Sequence, residues 1–65
     1  MIILIIVEKA LQNKKIVINA DLIEYIEEIP ETVIVLVSGR KIIVNETKEE
    51  IIKMVVEYKR SILIK

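Results

Sequence analysis

The only glycine of the chain falls between two runs of β-branched residues, and that arrangement constrains the fold more than any other feature. Thr32-Val33-Ile34-Val35-Leu36-Val37 has strong strand propensity, and Arg40-Lys41-Ile42-Ile43-Val44 follows with the same character. Between them Ser38-Gly39 reads as a two-residue hairpin loop, because Gly39 can supply the positive φ that a tight reversal needs. A lone hairpin is barely stable in water, so the rest of the chain must supply neighbouring strands and a cover.

The neighbours can be read on either side. Ile2 to Val7 is an apolar run without polar alternation, which predicts a strand covered on both faces. Glu8 to Lys15 is the polar break, with a turn at Gln12-Asn13, where Asn13 can take the positive φ usually left to glycine. Lys15 to Asn19 reads as the second strand, with Ile16 and Ile18 on one face and Val17 on the other. Asn19 to Ile29 carries mixed signals. Leu22, Ile26 and Ile29 have helical spacing, whereas Ile23 and Tyr25 alternate around Glu24 as in a strand. Pro30 ends either element. The flanking hairpin signals favour a turn over Ala20–Leu22 and a third strand over Ile23–Glu28.

The last third is helical. Thr47-Lys48-Glu49-Glu50 is a capping box, in which the Thr47 hydroxyl serves the Glu50 N–H and the Glu50 carboxylate serves the Thr47 N–H. Ile51, Met54, Val55, Tyr58 and Ile62 then form one apolar stripe, widened by Ile52 and Val56. The expected architecture is α+β, an antiparallel β-meander of about five strands with one C-terminal helix over residues 1–65. Curling toward a small barrel is the more closed form of the same sheet.

The 65 residues suffice for one domain at most, yet 54% of them are hydrophobic, nearly all Ile, Val and Leu. So small an interior cannot hide them all, which predicts a homo-oligomer. Ile2 to Val7 is far shorter than the roughly 20 residues a bilayer span needs. No basic residue precedes it and no small-residue cleavage site follows, so it reads as a strand and not as a targeting segment. The expected location is the cytoplasm.

Chemistry is scarce. The chain has neither histidine nor cysteine, which removes the usual general base, thiol nucleophile and soft metal ligands. Ser38 sits in a turn, and the carboxylate pairs Asp21/Glu24 and Glu27/Glu28 read as a solvated rim. No glycine loop for phosphate and no calcium-type loop is present. No cofactor, no metal and no catalytic residue is expected. Ten basic and ten acidic residues balance, so no net field draws in a polyanion. The basic pairs Lys14-Lys15 and Arg40-Lys41 lack aromatic neighbours for stacking on bases.

The order of these parts resembles the FlbD or SwrD (swarming motility) family of small bacterial flagellar proteins. The matching pieces are Lys14 to Asn19, Asp21-Leu22-Ile23-Glu24, Ile26-Glu27, Pro30-Glu31-Thr32, Val33 to Leu36, Gly39-Arg40-Lys41, and Thr47 to Arg60. The chain departs from the family pattern at two places. Gln12-Asn13 stands where an Asn-Gly turn is usual, and Lys9-Ala10 where a Thr-Arg pair is usual. The resemblance marks Asn19, Asp21, Leu22, Ile23, Glu24, Pro30, Gly39 and Lys41 as family-motif positions whose role it leaves open. It implies a non-enzymatic flagellar accessory protein that supports motor output or swarming through protein–protein binding. Its partner would be a motor or stator component, and its place the cytoplasm, peripheral to the basal body. The alternative is a small strand-rich RNA-binding regulator of Sm-like or CsrA-like type, against which the neutral charge and missing aromatics weigh.

Overall fold

A computed structural model describes residues 2–63. Five strands, β1 (Leu4–Lys9), β2 (Lys14–Asn19), β3 (Ile23–Glu28), β4 (Thr32–Leu36) and β5 (Lys41–Val44), precede one helix, α1 (Lys48–Leu63). A single 3₁₀ turn over Ala20–Leu22 separates β2 from β3. The α+β class, the antiparallel five-stranded sheet and the C-terminal helix are as the sequence predicts, and the mixed segment resolves into a turn and a strand at the expected residues.

The sheet order is β2-β1-β5-β4-β3. A hairpin (β1–β2) and a meander (β3–β4–β5) are therefore joined through β1 and β5, and the chain crosses over between β2 and β3. The join is short. Lys9 opposes Val44, the Ala10 N–H donates to the Ile43 carbonyl at 3.0 Å, and the Asn45 N–H donates to the Glu8 carbonyl at 2.9 Å. Among the described residues β2 and β3 do not pair with each other, so the sheet is open and the barrel form is not reached.

The core lies between the inner sheet face and the helix. Ile5, Val7, Ile18, Ile34, Ile42, Val44 and Ile51 are buried together, with Met54 and Val55 packed against them. The capping box forms as read: the Thr47 N–H donates to Glu50 Oε1 at 2.8 Å, and the Glu50 N–H donates to Thr47 Oγ1 at 3.1 Å.

Two expectations are corrected. β1 is not covered on both faces within this chain. Ile3, Ile5 and Val7 are buried, but Ile2, Leu4 and Ile6 remain exposed, Ile6 at 56%. Successive strand residues point to opposite faces whatever their chemistry, and the one helix covers only one side. Inside the bonded pair Leu36–Arg40 the β4–β5 loop has three residues, Val37, Ser38 and Gly39, not two. The Gly39 N–H donates to the Leu36 carbonyl at 2.8 Å, and the Leu36 N–H donates to the Arg40 carbonyl at 2.9 Å. Gly39 at φ +91° thus closes a four-residue turn and returns the chain into register as a bulge.

Candidate interaction surfaces

The Asn19–Glu24 segment is built first by Asn19. Its Oδ1 accepts from the Asp21 N–H at 3.1 Å, capping the 3₁₀ turn, and from the Ile3 N–H at 3.4 Å. The Ala20 N–H donates to the Ile3 carbonyl at 2.6 Å, and the Val37 N–H donates to the Leu22 carbonyl at 2.8 Å. The turn is pinned on one side to the start of β1 and on the other to the β4–β5 hairpin. Asp21 and Leu22 are left exposed on its surface. Ile23 is half-buried against the core. Glu24 is exposed at an irregularity in the β3–β4 register, which shifts between Ile23 and Tyr25.

Gly39 and Lys41 lie across the meander from this segment. Ile23 opposes Leu36, and Val35 opposes both Tyr25 and Lys41, so one end of the sheet carries Asp21, Leu22, Glu24, Gly39 and Lys41. Pro30 does not join them. It sits in the turn at the far end of β3, after a cis Ile29–Pro30 peptide, a strand length of about 20 Å away. Asn19 and Gly39 have evident backbone work to do, whereas Asp21, Glu24 and Lys41 are exposed and free to meet another molecule.

Two features escaped the sequence reading. The first is a polar latch between β1 and the β5–α1 loop. Glu46 accepts the Glu8 N–H through Oε1 at 3.0 Å and Oε2 at 3.1 Å, while Asn45 Nδ2 donates to Glu8 Oε1 at 2.8 Å. Its only sequence signal is the polar Asn45-Glu46 step before the cap. The second is the outer face of β1–β2, where Leu4 and Ile6 project beside Val17, itself 62% exposed and directly opposite Ile6. An apolar groove also runs between α1 and β3, lined by Ile3, Ile23, Ile26, Ile52, Val55 and Val56.

Among the described residues no three His, Cys, Asp or Glu side chains gather in a metal-binding arrangement. No described helix is long and apolar enough to cross a membrane. The surfaces offered among the described residues are strand edges, an apolar sheet face, grooves beside β3 and β2, and a mixed-charge rim.

A model of the family described as flagellar and swarming motility proteins matches residues 1–63. The chain belongs to the FlbD family. No curated protein and no solved structure matches it significantly. The FlbD match begins at residue 1 and so takes in β1 and the first turn. This stretch has a structural account of its own. Asn13 adopts φ +47°, the conformation an Asn-Gly turn would leave to glycine, and Lys9-Ala10 makes the β1–β5 join.

Proposed function

We propose that this FlbD-family protein supports flagellar motor output or swarming by binding other proteins, without catalysing a reaction. Membership of the family points to a small protein of flagellar and swarming motility, and the match over residues 1–63 is the observation that carries the reading. The finer steps rest on chemistry. The chain holds no histidine or cysteine, and its exposed Ser38 lies in a hairpin turn. Binding is what strand edges and a mixed-charge rim supply. The partner in this reading is a motor or stator component met at the cytoplasmic side of the basal body. The meeting surface is the end of the sheet that carries Asp21, Glu24 and Lys41.

Deletion of the gene in a motile host tests this reading. The expected result is reduced swarming or motor force with filaments still assembled. Complementation by Lys41→Glu, a change on an exposed side chain, should fall below complementation by the wild type. Normal motility after deletion removes the motor reading. Tight, salt-sensitive RNA binding by the purified protein would replace it with the Sm-like or CsrA-like alternative.

A further inference from the structure

Among the described residues the open sheet ends in two strands whose outer edges are unpaired, and the two edges carry opposite charge. β2 (Lys14–Asn19) contains Lys14 and Lys15 and no acidic residue. β3 (Ile23–Glu28) contains Glu24, Glu27 and Glu28 and no basic residue. Both strands have six residues, so both edges run about 20 Å.

The hydrogen-bond alternation shows which backbone groups each edge presents. The Ala20 N–H bonds the Ile3 carbonyl, so in the β1–β2 register Ile18, Ile16 and Lys14 face β1. The N–H and C=O groups of Lys15 and Val17 then point away from the sheet. On the other side, the Leu36 N–H bonds the Arg40 carbonyl, which turns Leu36, Ile34 and Thr32 toward β5. Val35 and Val33 therefore bond Tyr25 and Glu27, and the backbone groups of Ile26 and Glu28 point outward from β3.

We propose that copies of this chain associate head to tail, the basic β2 edge of one adding to the acidic β3 edge of the next. The charges select this pairing. Two β2 edges would bring four lysines together, and two β3 edges would bring six glutamates together, arrangements of the kind that edge charges ordinarily bar. The unlike pair satisfies both sets of outward backbone groups and neutralises charge. Because the two joining surfaces differ, the contact does not stop at two copies: it closes into a ring or continues as a filament. This inference stands independently of the flagellar reading.

The test is a charge swap on the intact chain. Wild-type protein at high micromolar concentration should sediment above twice the 7.5 kDa chain mass, and its mass should fall as salt rises from about 0.1 M to about 1 M. K14E/K15E makes both edges acidic, and E24K/E27K sets two lysines against Glu28 on β3, so that both edges are net basic. All four side chains are exposed, so each variant should fold, as circular dichroism and thermal melting will verify. Each alone should sediment as a monomer. Mixed at equal concentration they should assemble again, because each edge now meets an opposite edge on the other variant. A wild-type monomer, a species fixed at two copies, or folded variants that keep the wild-type mass would overturn the proposal. So would two folded monomeric variants that remain monomeric when mixed.

Discussion

The β1–β2 and β4–β5 hairpins are built from nearly the same residues and end in opposite situations. In β4–β5, Ile34 and Val35 are adjacent, point to opposite faces, and are both buried, with 0% and 3% of their surface exposed. In β1–β2 the adjacent Ile5 and Ile6 also point to opposite faces, but Ile5 is buried and Ile6 is exposed. The difference does not lie in propensity. Nor does it lie in the number of neighbouring strands, since β1 lies between β2 and β5 just as β4 lies between β5 and β3. The lesson is that an apolar run specifies a strand, and what packs over each of its faces is decided by the rest of the fold.

Truncating one residue in each hairpin gives the largest test of that contrast. Ile34→Ala opens a cavity at a side chain with no exposed surface and should cost about 2–5 kcal/mol. Ile6→Ala removes methyl groups already in contact with solvent and should cost at most about 1 kcal/mol. Urea denaturation of both variants measures the ratio. Equal losses would show that the outer face of β1–β2 is covered in solution.

The turns give the next effect. Gly39 sits at φ +91° with no heavy atom within 4 Å of where a Cβ would stand, so a substitution there meets backbone strain and no clash. Gly39→Val should destabilise by about 1–3 kcal/mol. A melting temperature equal to that of the wild type would mean that the turn relaxes to another form. That outcome would also weaken the assignment of the β4–β5 register to its glycine.

Helix capping comes third, because α1 covers the inner face that the two hairpins share. Thr47→Ala removes the bond to the Glu50 N–H and leaves the reciprocal one from Glu50 to the Thr47 backbone. The expected cost is about 0.5–2 kcal/mol. Amide hydrogen exchange should show faster opening in the first turn of α1 and little change in β4. Uniform loss of protection across both hairpins would instead make the helix start part of the global unfolding unit.

The strands, turns and cap were legible in the sequence because each is decided within a few residues. Thr47 and Glu50 are three apart, Gly39 follows one apolar run and precedes another, and Ile23–Glu28 lies between a turn and Pro30. Of the positions that the resemblance marks, the structure groups most at one end of the sheet and leaves Pro30 at the other. What could not be read joins residues far apart. Glu8 meets Glu46 and Asn45 across 38 and 37 positions, and β1 meets β5 at Lys9 and Val44. The opposite charges of β2 and β3 are plain in the sequence, but only the order β2-β1-β5-β4-β3 makes both strands edges. The third loop residue was missed for a related reason. A glycine requirement is common to two-residue and three-residue hairpins, and only the bonds from Gly39 to Leu36 and from Leu36 to Arg40 separate them.

The smallest effect is expected at the other turn, and it completes the comparison. Asn13 holds φ +47°, close to the left-handed region that asparagine enters readily, whereas Gly39 at φ +91° lies beyond it. Asn13→Gly therefore relieves little strain in the folded chain and adds freedom to the unfolded one. The two contributions oppose each other, and the net change should stay within about 0.5 kcal/mol. Gly39→Asn, by contrast, should destabilise by more than Asn13→Gly changes stability in either direction, because asparagine must be forced past its favoured φ. Matched thermal melts of the two variants decide the point. If Gly39→Asn melts with the wild type while Asn13→Gly falls by several degrees, the backbone demand of the two turns is the reverse of the one described. The first turn would then depend on its asparagine side chain and not on the φ that it adopts.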